Sequence, residues 1–125
     1  MTSNVDTFGV INNYEGATLA YASVDADGIV RNLGTLNVTG TYAIGDEGET
    51  TFAGDTKVGT LSIGRTAKTM LMARDGQEAV LHNTGKTYAD ELDLVSGQVM
   101  VEKDSILAGK SLKNGAVGSD IIVSA

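Results

Sequence analysis

Two short fragments of this 125-residue chain resemble the end of a phosphate-binding loop: Gly85-Lys86-Thr87 and Gly109-Lys110-Ser111. Such a loop needs another glycine five positions before the glycine that precedes the lysine, so that backbone N–H groups can surround a phosphate. Those positions hold Val80 and Asp104. We therefore expect neither fragment to bind a nucleotide, and we expect both to be turns.

The segment Asp25-Ala26-Asp27-Gly28 resembles the start of a calcium-binding EF-hand loop. When Gly28 is aligned with the required glycine, Ser23 takes the first ligand position and Gly34 takes the twelfth, which needs a bidentate glutamate. The sequence therefore excludes an EF-hand. Weak cation binding by Asp25 and Asp27, or by Asp46, Glu47 and Glu49, stays open. A β-turn is the simpler interpretation of the first group, and a solvated loop is the simpler interpretation of the second.

His82 is the single histidine, and the chain contains no cysteine. Metal sites and general-base catalysis usually recruit several such groups, and the sequence contains no Gly-x-Ser-x-Gly nucleophile motif. We expect His82 to lie in a hairpin strand opposite Thr69. The sequence thus predicts no catalytic, cofactor-binding or metal-binding residue, no cofactor, and a protein that is not an enzyme.

Composition bounds the fold class and the partners. A hydrophobic content of 42% over 125 residues suffices for one domain, residues 1–125, with its own core. No apolar run approaches the roughly 20 residues of a membrane-spanning helix, and we expect no membrane association. The net charge of −7 and the absence of tryptophan argue against nucleic acid as a partner, because nucleic-acid binding needs clustered basic residues and stacking platforms.

The net negative charge of the chain comes from its first half. Residues 1–56 contain one basic and eight acidic residues, whereas residues 57–125 contain eight of each. A solvated acidic face that aids solubility is the simpler interpretation. A surface that meets a basic partner or a neighbouring subunit is the alternative.

Asp-Gly and Asn-Gly pairs between apolar segments predict β-hairpins, because both positions of a tight hairpin turn need positive φ. The three candidates are Arg74-Asp75-Gly76-Gln77 between residues 69–73 and 78–82, Asp27-Gly28 between 17–24 and 29–33, and Asn114-Gly115 between Leu112 and Val117. Further predicted strands are 35–38, 41–44, 50–53, 57–63, 98–102 and 120–124. Residues 87–94 fit a short helix or a strand equally well. The sequence therefore predicts an all-β fold, a compact antiparallel β-sandwich or barrel with Gly-rich turns.

A faint repeat indicates an alternative fold. Gly34-Thr35-Leu36-Asn37-Val38 recurs as Gly59-Thr60-Leu61-Ser62-Ile63, and the triplet Leu92-Asp93-Leu94 follows after a somewhat longer interval. Apolar–polar–apolar triplets beside glycine suit the coils of a short β-solenoid. Alternation with glycine turns also produces such triplets in antiparallel proteins, so the solenoid is the second choice.

The first residues leave two interpretations open. Residues 5–11 fit an ordinary first strand, and residues 1–12 also fit an extended arm that pairs with another subunit. The chain contains no proline and few basic residues that would block edge strands. Residues 1–7 contain neither a basic residue nor an apolar core, so we expect neither export nor membrane anchoring.

These features together resemble the capsid decoration (cement) proteins of tailed bacteriophages. The resemblance lies in the polar start Met1-Thr2-Ser3, the Gly- and Thr-rich stretches 34–40 and 54–64, the terminal β segment 120–124, the acidity and the absence of cysteine. It implies a structural protein of the virion, made in the host cytoplasm, that binds the major capsid protein as a homotrimer and stabilises the outer shell without catalysis. The missing proline is a departure, because several such proteins use proline in their arms.

Two other classes of function stay open. A β-rich fibre or adhesion module that recognises a surface glycan or protein would show regular coils of similar length, although aromatic residues are few here. A small hydrolase would show a deep pocket with two close carboxylates.

Overall fold

The computed structural model of the chain describes residues 4–7, 9–45, 48–64, 79–94, 97–113 and 119–123. Their regular structure consists of β-strands in two sheets, and the strand pairs are parallel throughout. The all-β prediction is therefore confirmed. The antiparallel sandwich or barrel is wrong, and the fold is the β-solenoid that the repeat indicated as the alternative.

The strands divide between two sheets, which we call sheet A and sheet B. Sheet A consists of β1 (Asn4–Thr7), β3 (Thr18–Tyr21), β4 (Ser23–Ala26), β6 (Thr35–Ile44), β8 (Asp55–Ile63), β10 (Lys86–Leu94) and β12 (Ile106–Lys113). Sheet B consists of β2 (Val10–Asn13), β5 (Ile29–Asn32), β7 (Glu49–Phe52), β9 (Val80–Asn83), β11 (Gly97–Val101) and β13 (Ser119–Val123).

Each coil runs along sheet B, turns, returns along sheet A, and then enters the next coil. The first coil contains β2, β3 and β4, and the second to fifth coils contain the pairs β5–β6, β7–β8, β9–β10 and β11–β12. Neighbouring strands lie about 4.8 Å apart, so the chain advances by that distance with each coil. The positions of sheet B that pair in register from coil to coil are, in order, Val10, Ile29, Glu49, Val80, Gln98 and Asp120.

The predicted hairpins are corrected by this topology. The strands on either side of Asp27-Gly28, β4 and β5, lie in different sheets, as do β12 and β13 on either side of Asn114-Gly115. Both edges of β9 are occupied by β7 and β11, so residues 80–83 do not pair with the segment at 69–73. An Asp-Gly pair favours a tight turn but does not specify which sheet the next strand joins. The turns at 74–77 and 114–115 themselves lie outside the described residues.

Two ambiguous segments are resolved as strands. Residues 87–94 belong to β10, so the strand interpretation is correct and the helix interpretation is wrong. The predicted single strand at 5–11 is divided between β1, which pairs with β4, and β2, which pairs with β5.

Of the two intervals in the sequence repeat, one equals the register offset between neighbouring coils and the other does not. Leu61 of β8 pairs with Leu92 of β10, so the second interval of the repeat is a true step between coils. Leu36 of β6 pairs instead with Thr56, and Leu61 pairs back to Tyr42. The first interval therefore does not match a step between coils, because Leu36 lies in the N-terminal half of β6 and Leu61 lies in the C-terminal half of β8.

Alternating side chains fill the interior, and in β8 the alternation changes phase midway along the strand. In β8, residues 56, 58, 61 and 63 are buried, whereas Gly59 and Thr60 are partly exposed. The register of β6 with β8 is irregular at the same level, and in the first coil β3 ends and β4 begins there. The long sheet A strands β6 and β8 thus turn a corner midway. The larger core side chains are Val24, Val30, Leu36, Val38, Tyr42, Ile44, Phe52, Val58, Leu61, Ile63, Leu81 and Val99.

A column of glycines occupies the turn from sheet B into sheet A in the three middle coils: Gly34, Gly54 and Gly85. A Cβ atom on Gly54 would collide with the carbonyl oxygen of Gly34, and one on Gly85 would collide with that of Gly54. Glycine is required here because the backbones of successive coils touch. The first and fifth coils make longer turns, with positive φ at Gly16 (85°) and Asp104 (66°).

Buried asparagines bond this turn to the following coil. Asn13, Asn32 and Asn83 each end a sheet B strand, and each Nδ2 donates to the backbone oxygen of the residue that begins the next coil's sheet A strand. The acceptors are Thr35 at 3.0 Å, Asp55 at 3.1 Å and Ile106 at 2.9 Å, respectively. Asn13 also donates to Oδ1 of Asn32 at 2.8 Å. The three asparagine side chains are buried and cannot bond to water, so these hydrogen bonds satisfy their amide groups.

In the third coil, Phe52 takes the position of the asparagine and packs instead of bonding. Its ring meets the ring of Tyr42 edge to face, with centroids 5.1 Å apart. The Tyr42 hydroxyl is hydrogen-bonded to Oγ1 of Thr50 at 2.9 Å. Burial raises the pKa of Tyr42 above its usual range, so this hydroxyl stays protonated.

We predict that Gly54→Ala lowers the free energy of unfolding by about 3 kcal/mol, because the added methyl group meets backbone that cannot move without separating two coils. Gly16→Ala is the matched control, since a Cβ there has nothing within 4 Å. It should cost only the left-handed backbone strain of about 1 kcal/mol. Chemical denaturation measures both changes, and equal losses would contradict the role of Gly54 in stacking.

We also predict that Asn32→Ala lowers the free energy of unfolding by about 2–3 kcal/mol, because it leaves buried polar partners unsatisfied. Nδ2 of Asn32 donates to both the Asp55 oxygen and Oγ1 of Thr56 at 3.0 Å. Asn37→Ala, at an exposed position of β6, should change stability by less than about 0.5 kcal/mol. A similar loss in the two variants would show that the asparagine bonds contribute little.

Candidate functional site

The N-terminal halves of the long sheet A strands carry a row of exposed side chains on their outer face. Asn37 pairs in register with Lys57, Lys57 with Tyr88, and Tyr88 with Ala108. Lys57 and Tyr88 each lie between two buried neighbours along their strand, so the alternation of the strand points them outward. The stacking of coils therefore brings together residues that are far apart in the sequence.

A second row lies beside the first, at the corner of the sheet A strands. Asp90 of β10 and Lys110 of β12 are neighbours there, with Oδ1 and Nζ 3.3 Å apart. Together with the first row they form what we call the Tyr88 surface: Asn37, Lys57, Tyr88, Asp90 and Lys110.

The Tyr88 surface contains adjoining shallow depressions. One, of about 480 Å³, is lined by residues of β6, β8 and β10 that include Asn37, Lys57 and Asp90. Another, of about 290 Å³, shares Lys57 and Asp90 and extends to Tyr88 and Lys110. Both are open to solvent along one side of the solenoid. Such a site suits a ligand that lies on the surface, and it does not enclose a substrate away from water.

The ring of Tyr88 is accessible because its neighbours in β12 are small. Tyr88 is 48% exposed and lines the depression together with Ala108 and Gly109. Large aromatic rings are normally buried against apolar neighbours, and an exposed one beside polar groups is a common feature of binding surfaces.

The charges on this surface are mixed and solvated. The side chains of Lys110 and Asp90 are 84% and 71% exposed, so their ion pair adds little to stability. The Tyr88 surface carries two ammonium groups and one carboxylate, and the amide of Asn37 adds both a donor and an acceptor.

The two phosphate-loop fragments serve the fold. Gly85 lies in the turn before β10, but Lys86 and Thr87 begin that strand, so the prediction of a turn is correct for Gly85 alone. Buried Thr87 donates to Oδ1 of Asn83 at 2.6 Å. Gly109-Lys110-Ser111 lies inside β12, so the prediction of a turn there is wrong. A Cβ atom at position 109 would lie 2.6 Å from Cγ of Leu92, so a larger residue there would require that side chain to move.

The acidic segments are divided between strand and turn. Asp25 lies in β4, and buried Asp27 lies at the turn into sheet B. In the 45–49 loop, the Gly48 N–H donates to the Gly45 oxygen at 2.8 Å, and residues 46 and 47 lie outside the described residues. Within the part of the chain that the structure describes, no three His, Asp or Glu side chains lie close enough to hold a metal ion. Weak cation binding by these acids stays a prediction.

His82 lies in β9 between Thr51 and Met100, so the predicted hairpin position opposite Thr69 is wrong. Its Nε2 lies 2.7 Å from Oε1 of Glu102, and both side chains are partly exposed. The pair links His82 of sheet B to Glu102 in the turn of the fifth coil, and neither residue belongs to the Tyr88 surface.

The Tyr88 surface was missed by sequence reasoning, although one signal for it was present. Lys57 and Tyr88 are separated by the same interval as Leu61 and Leu92, which is the true offset between those two coils. Applying the offset of the apolar residues to the exposed residues of the same strands would have placed Lys57 beside Tyr88. The other offset, taken from Leu36 to Leu61, misplaces Asn37, so the complete row could not be assembled.

The described residues form no helix of the length and apolarity that a membrane span requires. No protein-family model matches the chain, and no curated protein or solved structure is significantly similar to it. The resemblance to phage decoration proteins therefore stays a prediction, and the surface has to be interpreted from its own geometry.

Proposed function

We propose that this chain is a non-catalytic β-solenoid module of a surface fibre or adhesion protein, which recognises a glycan or protein on another surface. The observation that carries the proposal is the parallel solenoid itself. Its coil-to-coil steps in sheet B are of similar length, apart from the longer step from Glu49 to Val80. Coils of such similar length are the feature that distinguishes a fibre or adhesion module from a compact sandwich.

The geometry of a solenoid supports this role. Five steps of about 4.8 Å give the stack of coils a length of roughly 24 Å along its axis. Each coil contacts only its neighbours, so further coils extend such a body without changing its cross-section. The outward residues are not needed for the core and are free to form a continuous recognition surface.

The test is saturable binding of the fluorescently labelled chain to a panel of whole cells, with unlabelled protein as competitor. We expect saturable, competed binding to at least one cell type. Periodate treatment of the cells destroys glycans and protease treatment removes proteins, so the two treatments identify the class of receptor. Absence of saturable binding across the panel, or turnover of a small substrate instead, would contradict the proposal.

A capsid decoration subunit is the second candidate, and the edge strands favour it. Within the described residues, β2 and β3 have a neighbouring strand on one side only. Neither contains a lysine, arginine or proline, the residues that usually protect an edge from pairing with another protein.

The decoration hypothesis predicts a homotrimer that co-sediments saturably with purified capsid shells of a tailed phage. Sedimentation equilibrium gives the mass of the free protein, and centrifugation with shells gives the bound fraction. A stable monomer that stays in the supernatant would exclude this candidate and leave the adhesion proposal untouched.

A further inference from the structure

We infer that the Tyr88 surface binds an uncharged polysaccharide, with one sugar ring stacked on Tyr88 and the chain lying along the solenoid axis. This inference rests on the proposed function and deepens it by naming the class of ligand. It is carried by the juxtaposition of an exposed aromatic ring with exposed polar groups on four neighbouring strands.

The stacking partner is the first step. The face of an aromatic ring is electron-rich, and it attracts the C–H groups that line one face of a sugar ring. Tyr88 offers such a ring, because it is 48% exposed and is flanked in register by Ala108 on one side. The small residues of β12 leave room for a sugar beside the ring.

Hydroxyl recognition is the second step. Sugars present many hydroxyl groups, each of which both donates and accepts hydrogen bonds. Asn37 and Asp90 supply acceptors, and Lys57 and Lys110 supply donors, and they line the same adjoining depressions as Tyr88. Mixed donors and acceptors around one aromatic ring fit a sugar better than they fit an apolar ligand.

The charges on the Tyr88 surface distinguish a polyanionic ligand from an uncharged one. A polyanion such as a sulfated glycan or a nucleic acid needs a continuous basic groove. On the Tyr88 surface Asp90 lies 3.3 Å from Lys110 and offsets its charge, and in the adjacent row Asp55 pairs in register with Lys86. The near balance of charges favours an uncharged polymer.

The direction of the ligand follows from the register. Asn37, Lys57 and Tyr88 come from three successive coils and form a row along the axis with a spacing of about 4.8 Å. A polysaccharide that follows this row contacts one coil after another, so a long chain makes more contacts than a single sugar. We therefore expect affinity to rise with chain length.

The experiment is native affinity electrophoresis in gels that contain soluble mannan, dextran or β-glucan as neutral probes, and hyaluronan or heparin as anionic probes. The variants are Tyr88→Ala, Tyr88→Phe and the matched control Tyr14→Ala, which removes another exposed tyrosine from the turn of the first coil. Circular dichroism checks that each variant is folded. Asp90→Asn, which removes an exposed carboxylate acceptor, takes the place of Tyr88→Ala if that variant does not fold.

We expect at least one neutral probe to retard the protein, and Tyr88→Ala to weaken this binding by about tenfold or more. Tyr88→Phe keeps the ring and should stay within about threefold, Tyr14→Ala should bind normally, Asp90→Asn should bind several-fold more weakly, and about 0.5 M salt should change little. Retardation by anionic probes alone, equal loss in Tyr14→Ala, or no retardation by any probe would overturn the inference.

The same variants separate this inference from the adhesion proposal. If Tyr88→Ala binds cells as well as the unchanged protein does, adhesion stands and the Tyr88 surface is not its binding site. If the protein binds a neutral probe through Tyr88 but binds no cells, the ligand class stands and the adhesion proposal fails.

Discussion

Backbone contact between successive coils, at the turn from sheet B into sheet A, is the constraint on which the rest of this fold depends. Parallel strands in both sheets must advance by the same distance, about 4.8 Å per coil, and this turn joins the two sheets. At Gly54 and Gly85 no side chain fits between the coils. A turn that held the coils apart here would lengthen the step on one side and break the register of both sheets.

The same contact explains why a largely apolar core contains buried asparagine side chains. A turn packed against its neighbour cannot hydrate its carbonyl groups, so Asn13, Asn32 and Asn83 bond them from inside the solenoid. Each bond reaches into the following coil, so a coil completes its hydrogen bonds only when the next one is in place. Phe52 shows that packing can replace this bond in one coil, where the ring of Tyr42 provides the contact. Stability therefore lies between coils more than within them.

The sequence predicts most of the strands, although not β12, and predicts their pairing poorly, for a physical reason. Alternating apolar residues in β8 identify a strand, but alternation is the same in parallel and antiparallel sheets that have one buried face. Asp27-Gly28 marks a turn correctly, yet the tightness of a turn does not determine whether the next strand joins the same sheet. The segment at 65–78 lengthens the step between β7 and β9, which hides the otherwise regular spacing. The Tyr88 surface depends on pairing, so it could not be assembled before the pairing was known.

A solenoid also converts the order of residues along the chain into position along an axis. The described residues of the acidic half, residues 1–56, belong to the first two coils and the start of the third, whereas Lys57, Tyr88, Asp90 and Lys110 belong to the third, fourth and fifth coils. Within the described residues, the excess of negative charge therefore lies toward one end, and every member of the Tyr88 surface except Asn37 belongs to the remaining coils, where the charges nearly balance. An anionic polymer that followed the axis would meet increasing repulsion toward the acidic end. An uncharged polymer meets none, so the charge distribution of the whole chain and the local chemistry around Tyr88 favour the same class of ligand.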